Sequence, residues 1–190
     1  MKKYLFTILI LIIYSVSSFP QSLESGAFGA PVFKYSKFVG QSALIAGVKA
    51  GWIINKRIVL GAGYYVLSSD VNSGFTDTHY SQNLLLDFNY GGLEFEYLLL
   101  YESKFNISVD MLLGSGGLSF HLKDINKGYS NRNLLVWEPG LNFETTIYEW
   151  LHADAGISYR MISSYIPVYD ISKNDLEGMN FLLTLKFGSY

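Results

Sequence analysis

The feature that most constrains this chain is an alternation of apolar and polar side chains with a period of two, repeated along most of its length. From Leu151 to Ile162 the odd positions are apolar or aromatic, while the even positions include His152, Asp154 and Arg160. Successive side chains of a β-strand point to opposite faces, so this spacing predicts a strand with one apolar and one polar face. Segments of this kind, separated by clusters of Gly, Asn, Ser and Asp, predict eight strands. They span residues 25–36, 42–54, 57–69, 84–100, 104–122, 133–147, 151–164 and 178–189.

Glycines interrupt two of these predicted strands. Within residues 84–100 the apolar positions are even before Gly91-Gly92 and odd after it. A β-bulge at this glycine pair would restore a single apolar face. The polar face of the strand would then hold Asp87, Asn89, Glu94 and Glu96. The run Gly114-Ser115-Gly116-Gly117 also lies within a strand pattern, which favours a bulge or kink over a phosphate-binding loop.

The composition excludes several function classes. The chain has no cysteine, which rules out disulfides, a thiolate metal site and a cysteine nucleophile. Charged residues make up 16% of the sequence and the net charge is −2, without the basic stripe of a nucleic-acid-binding protein. The sequence also lacks a glycine-rich phosphate loop, a dinucleotide fingerprint and histidines at metal-ligand spacing. We therefore expect no cofactor, no bound metal and no nucleic acid partner.

The first residues have the layout of a secretory signal peptide. Lys2 and Lys3 precede an apolar run from Tyr4 to Tyr14, and small residues follow up to Ser18. The apolar run is shorter than the ~20 residues that a spanning helix needs. We predict a signal peptide at residues 1–18 and one mature domain at residues 19–190, exported through the periplasm.

The predicted connections alternate in length, which is typical of a transmembrane barrel. Short turns at one end face longer polar loops at the other, namely Val71–Gln82, Lys123–Asn131 and Ile166–Leu176. The apolar faces are long enough for the ~9–11 residues of a membrane-spanning strand. Aromatic residues gather at both predicted ends, as in the girdles at lipid–water interfaces. They are Trp52, Tyr101, Phe105, Tyr148, Trp150, Phe187 and Tyr190 at the short-turn end, and Tyr35, Phe38, Tyr64, Phe88 and Trp137 at the long-loop end. The prediction is an all-β fold, an eight-stranded antiparallel up-and-down transmembrane β-barrel.

Three stretches carry a resemblance to a known class, the small OmpA- and OmpX-like outer-membrane barrels. They are Tyr90–Tyr97, Glu138-Pro139-Gly140 and Gly156–Arg160. These stretches resemble those of small barrel proteins from Gram-negative bacteria that have no assigned activity. The final strand, ending Phe187-Gly188-Ser189-Tyr190, is similar to the carboxy-terminal signal read by the barrel-insertion machinery, although Phe187 and Tyr190 are out of phase. The resemblance implies an outer-membrane location, with membrane lipid and the insertion machinery as partners.

The polar strand faces predict a charged barrel interior. Its members are Lys49, Glu94, Glu96, Asp110, Glu138, Glu144, His152, Asp154, Arg160 and Lys186. Eight strands enclose an interior that side chains just fill, so a hydrogen-bonded charge network is favoured over an ion or proton path. Arg160 suits a bidentate pair with Glu138 or Asp154. Glu94 and Glu96, two residues apart on one face, could instead hold Ca²⁺ or Mg²⁺, but we interpret them as counter-charges of the interior.

Three functions remain open at this point. The first is a structural or surface-interaction role, in which the long loops bind an external ligand or surface. The second is a lipid-modifying esterase, because His79 and Ser81 share a strand face and resemble the His-x-Ser element of the eight-stranded lipid A deacylases. No orienting acid can be assigned, and we expect no enzyme activity. The third is a soluble periplasmic lipid-binding barrel, which requires the apolar faces to point inward.

Overall fold

The computed structural model describes residues 25–77, 82–101, 104–122, 125–163 and 171–189, which contain nine strands and one short helix. The elements are β1 Ser25–Phe38, β2 Gln41–Ile54, β3 Ile58–Leu67, β4 Val71–Asp77, β5 Gln82–Tyr101, β6 Phe105–Leu122, β7 Ile125–Tyr148, β8 Leu151–Ser163, α1 Lys173–Leu176 and β9 Gly178–Ser189. In these residues no helix is both long and apolar enough to cross a membrane. The predicted signal peptide, residues 1–18, lies outside the described residues.

Eight of the strands close into an antiparallel barrel, as the sequence predicts. Their order is β3-β2-β1-β9-β8-β7-β6-β5, and β3 pairs with β5 to close the ring. The stagger of the strands is found by stepping from each residue to its partner on the next strand. Starting at Ile58 of β3, these steps run around the barrel to Leu44 of β2. The Leu44 carbonyl accepts a hydrogen bond from the Ser68 N–H, which brings the path back to the chain just after β3. The path returns ten residues further along the same strand, from position 58 to position 68. Such a stagger tilts the strands, as in barrels with tilts of about 35–45°.

The apolar faces point outward on every barrel strand. Val48 is 63% exposed and Leu93 is 72% exposed, although both lie within strands. Other large outward side chains include Phe33, Leu60, Phe95, Leu113, Leu141, Phe143, Ile157, Phe181 and Leu183. A continuous apolar band around a closed barrel is the surface that meets lipid, since a closed barrel leaves no unpaired backbone in the bilayer. The chain is therefore a transmembrane barrel of the outer-membrane type. The soluble lipid-binding barrel is wrong, because it needs these faces inside.

The bulge predicted at Gly91-Gly92 is wrong. Gly91 pairs with Ser115 and Gly92 with Gly114 in an unbroken register. The even-numbered side chains of β5 point inward from Leu84 to Leu98, including Leu86, Phe88, Tyr90, Glu94 and Glu96. The apolar residues change parity because the interior itself changes from polar to apolar. The β5 irregularity lies between Leu98 and Leu100, with Leu99 and Leu100 both exposed.

Three further predictions, about residues of β1, β5 and β6, also need correction. Asp87 and Asn89 do not face the interior; Asp87 lies on the outer wall, where its Oδ2 is 2.7 Å from His121 Nδ1. Phe38 and Phe88 are buried inside the barrel and do not belong to the outer aromatic girdle. The run Gly114–Gly117 continues the β5–β6 register without a bulge.

The other girdle residues that the structure describes are exposed. They are Trp52, Phe105, Tyr148, Trp150 and Phe187 near the short turns, and Tyr35, Tyr64 and Trp137 towards the opposite end, which we call the outer end. Tyr190 and the side chain of Tyr101 lie outside the description.

Two of the predicted long loops are largely strand. β4 covers residues 71–77 of the first loop and pairs with β5 from Val71–Leu86 to Asp77–Gln82. β7 begins at Ile125, inside the second predicted loop, and pairs back to β6 through Leu122. The hairpins continue outward beyond the lipid band. Both faces of a strand meet water there, so the sequence need not alternate between apolar and polar residues. In the third loop, residues 171–176 contain the helix α1.

Candidate functional site

The barrel interior is divided into an apolar outer layer, a polar middle and a small apolar inner layer. The outer layer, towards the long connections, contains Val32, Phe38, Ile45, Phe88, Leu118, Phe120, Val136 and Ile162 among others. The inner layer, near the short turns, contains Phe28, Ala30, Ile53, Val59 and Leu98. Most of the interior ionisable groups lie between these layers, whereas Arg160 lies within the outer layer. Their charges are compensated by neighbours in the barrel and not by bulk water.

One group of charges surrounds the Lys186 ammonium. Its Nζ lies 2.7 Å from Glu144 Oε2, 2.9 Å from Asp154 Oδ2 and 3.1 Å from Glu96 Oε1. All four side chains are buried. The three acids offer oxygens within 4.8 Å of one another, a spacing suited to a metal ion. The lysine ammonium sits among these oxygens and supplies the compensating positive charge itself.

Two further basic groups border this group of charges. Lys49 Nζ is 3.9 Å from Glu96 Oε2, and His152 Nδ1 is 3.7 Å from Glu144 Oε1. Ser108 also donates to Glu96 Oε1 at 2.7 Å, and Asn106 donates to Glu144 Oε1 at 2.8 Å. The network thus combines ion pairs with neutral donors, as buried charges require.

A second group of charges is centred on Glu138. Its carboxylate accepts from Lys34 Nζ, the Tyr90 hydroxyl and the Ser158 hydroxyl, each at 2.6 Å. The Lys34 ammonium also lies 3.6 Å from the centre of the Tyr65 ring. The buried ion pair of Lys34 and Glu138 therefore lies directly below the apolar outer layer.

All ten residues predicted for the interior point into the barrel, with Glu94 and Asp110 less buried than the others. Tyr65 donates to Glu94, and Asn142 donates to Asp110 Oδ1 at 3.0 Å. Glu94 and Glu96 therefore serve different partners and do not converge on one cation position. Sequence reasoning missed Lys34, although it shares the inward parity of Val32 in β1. It also missed Tyr90, because the predicted bulge placed that side chain outside.

Arg160 does not form the predicted pair with Glu138 or Asp154, because Lys34 and Lys186 compensate those carboxylates. The Arg160 guanidinium is fully buried and packs against the rings of Phe38 and Phe88, at 4.0 and 5.4 Å from their centres. Its donors reach four oxygen acceptors: Leu176 O at 2.8 Å, Asn180 Oδ1 at 3.1 Å, Ser36 Oγ at 3.3 Å and Lys37 O at 3.4 Å. Within the described part of the chain, no carboxylate lies within ion-pair distance of it.

Four strands extend past the outer end of the barrel as a projecting sheet. We define it as residues 71–77, 82–86, 118–122 and 125–134, taken from β4, β5, β6 and β7. β8 pairs with β7 only from Leu135 onward, where Leu135 meets Ser163. β4 stands at the end of the strand order. The described strands therefore leave the projecting sheet with two edges that have no neighbouring strand.

His79 and Ser81, the esterase candidates, lie outside the described residues.

Comparison with known proteins identifies the fold. No protein-family model matches the chain, and no curated protein matches it. Among solved structures, Neisserial surface protein A (NspA) superimposes with a TM-score of 0.62 at 12% identity, covering 88% of this chain and 99% of NspA. Ail, the attachment invasion locus protein of Yersinia pestis, gives a TM-score of 0.51 at 11% identity, covering 86% of this chain and 97% of Ail. A complex of Ail with the heparin analogue sucrose octasulfate gives 0.52 at 12% identity, covering 88% of this chain and 99% of Ail. The likeness confirms the fold expected from the resemblance to small outer-membrane barrels.

Proposed function

We propose that this chain is an outer-membrane surface protein that binds an external partner through its projecting sheet, and that its barrel has no open pore. The observation that carries the proposal is the pair of strand edges beyond the lipid band. Exposed edges present rows of backbone donors and acceptors that pair readily with another extended chain. The two edges lie on opposite sides of a sheet of four strands.

The relatives in structure support a role at the cell surface. NspA is described as a surface protein, and Ail as an attachment invasion locus protein. We extend to this chain only the general idea of attachment. Membrane lipid and the barrel-insertion machinery are the other partners that we propose.

The binding role is tested by shortening the projecting hairpins. Residues 72–83 and 120–129 would each be replaced by Asn-Gly, which forms a tight hairpin turn. We expect bacteria that display either shortened chain to adhere several-fold less to cultured epithelial cells than bacteria displaying the native chain. Lys104→Ala, at an exposed position beside an inner turn, is the matched control and should adhere normally.

Folding of each variant is checked by electrophoresis with and without boiling, because a closed membrane barrel resists detergent until it is heated. Normal adhesion by a folded chain with both hairpins shortened would remove the projecting sheet from the proposal.

The absence of a pore is supported by the two apolar layers on either side of the charge network. Purified protein inserted into a planar lipid bilayer should show no conductance steps in 1 M KCl. A porin inserted under the same conditions serves as the positive control. Reproducible single-channel steps from the native chain would contradict this part of the proposal.

A further inference from the structure

A short segment at the outer end of the barrel is tied by three hydrogen bonds to two different parts of it. We call this segment, residues Ile171–Glu177, the strap. The Val39 N–H in the β1–β2 turn donates to Asp175 O at 2.9 Å, and Arg160 Nε donates to Leu176 O at 2.8 Å. The Ile162 N–H donates to Glu177 Oε1 at 2.8 Å. The strap thereby joins β8 to the turn that follows β1.

The strap also contributes to the apolar outer layer. Ile171 and Leu176 are buried in the same cluster as Phe38 and Phe88. The remaining strap residues are mostly exposed, and α1 within it is only four residues long. Its turn has a capping box, in which Ser172 and Asp175 bond reciprocally. One turn of helix is nevertheless too short to be stable alone, so the strap keeps its shape through its contacts with the barrel.

Arg160 is the residue best placed to hold the strap down. A buried guanidinium is costly unless its donors are satisfied, and here they are satisfied by uncharged oxygens. One of these acceptors, Leu176 O, belongs to the strap, and another, Lys37 O, lies at the end of β1 beside the turn that the strap contacts. Lifting the strap would take the Leu176 carbonyl away from the Arg160 guanidinium. It would also expose the outer side of the neighbouring Phe38 and Phe88 rings.

We propose that the strap is a lid that opens and closes over the outer end of the barrel, and that Arg160 is the positioning residue that keeps it closed. The lid gives the outer surface two states, which goes beyond the binding role proposed above. In the closed state Leu176 fills the apolar layer. In the open state Arg160, Phe38 and Phe88 face the exterior.

The absence of native cysteine makes a direct test available, because a single introduced thiol is the sole target of a maleimide. Leu176→Cys places the thiol at a buried position of the lid, and Asn174→Cys places it at an exposed position two residues away. The purified, folded protein in detergent micelles would be reacted with a bulky polar maleimide. With Arg160 present, we expect Leu176→Cys to react at least tenfold more slowly than Asn174→Cys.

The positioning role is then tested by adding Arg160→Lys or Arg160→Met to Leu176→Cys. Either should raise the labelling rate at position 176 about tenfold, towards the rate of Asn174→Cys, while the unboiled protein still migrates as a barrel. Lys104→Met, which removes an exposed charge beside an inner turn at the opposite end of the barrel, is the control and should leave that rate unchanged.

Three results would overturn the proposal. The first is equal labelling of Leu176→Cys and Asn174→Cys with Arg160 present, since the lid would then not be closed. The second is an unchanged rate in the Arg160 variants, or an equal increase in the rate of the chain that carries Lys104→Met. The third is failure of both Arg160 variants to form a heat-modifiable barrel, because Arg160 would then support the whole barrel and not the lid alone.

Discussion

At the scale of single residues, the interior is governed by the compensation of buried charge. Lys186 meets three carboxylates and Glu138 meets Lys34, each at ion-pair distance. Replacing both members of such a pair by apolar groups can be neutral, but removing one leaves the other charged and desolvated. The consequences of substitution therefore depend on which partner remains.

Lys186→Met is expected to be strongly destabilising. It leaves Glu96, Glu144 and Asp154 within 4.8 Å of one another without the ammonium between them. Breaking a buried pair in this way costs about 3–5 kcal/mol. The free energy of unfolding would be measured by urea titration of the protein refolded in detergent micelles.

The matched control for this prediction is Lys37→Met, because Lys37 is an exposed lysine of β1. Substitutions at exposed positions usually change stability by less than about 0.5 kcal/mol. Equal stabilities of the two variants would show that the Lys186 ammonium does not compensate the carboxylates.

The choice of partners could not be read from the sequence. The period of two correctly places Glu138, Asp154 and Arg160 on inward faces. The period of two does not fix the stagger between strands. This stagger places Lys34, and not Arg160, at ion-pair distance from Glu138. A bidentate preference of arginine is a local property, whereas the pairing depends on the stagger of the whole ring.

At the scale of elements, β5 shows how a strand can be read correctly in extent but wrongly in detail. The predicted range 84–100 lies within the observed Gln82–Tyr101. The bulge was inferred from the assumption that one face of the strand stays apolar throughout. The register instead runs straight through the glycines, since Gly92 and Gly114 face each other where the two backbones approach closely.

Gly114→Ala tests this close approach. A Cβ at position 114 would overlap the carbonyl oxygen of Gly91 and lie 2.8 Å from Gly92 Cα, both backbone atoms that cannot rotate away. We expect a loss of about 1–3 kcal/mol, the usual cost of overpacking, with a smaller fraction of heat-modifiable barrel after refolding. Gly29→Ala is the control, because nothing lies within 4 Å of a Cβ built there. Equal stability of the two alanine variants would argue against a steric need for glycine at position 114.

At the scale of the whole molecule, polarity is arranged for a lipid solvent. Large apolar side chains surround the barrel, while lysines, arginine and carboxylates are enclosed. In water this arrangement would expose the apolar band and bury charges at high cost. In a bilayer the same band is solvated by lipid, and the enclosed charges are protected by their ion pairs.

Val48→Lys tests the position of the lipid band. Val48 lies in the middle of the outward face of β2, and a lysine at the bilayer midplane costs about 2–4 kcal/mol in such barrels. The measurement is the free energy of unfolding of the barrel refolded in lipid vesicles. Ser25→Lys at the end of β1 should cost no more than about 1 kcal/mol, because the cost falls near the interface. A cost at position 48 no larger than at position 25 would place Val48 outside the bilayer core.

The sequence by itself determined the eight barrel strands, their alternating faces and the transmembrane barrel, because a period of two and the lengths of the turns are local properties. It also placed ten ionisable side chains inside. The tertiary structure alone decided which charges meet, because partners such as Lys34 and Glu138 lie 104 residues apart and are aligned by the stagger of eight strands. The structure likewise decided the apolar outer layer, the strap over Arg160 and the extension of two hairpins into a projecting sheet. These features depend on how the barrel closes and on where the membrane ends, and neither can be read from the sequence of a single strand.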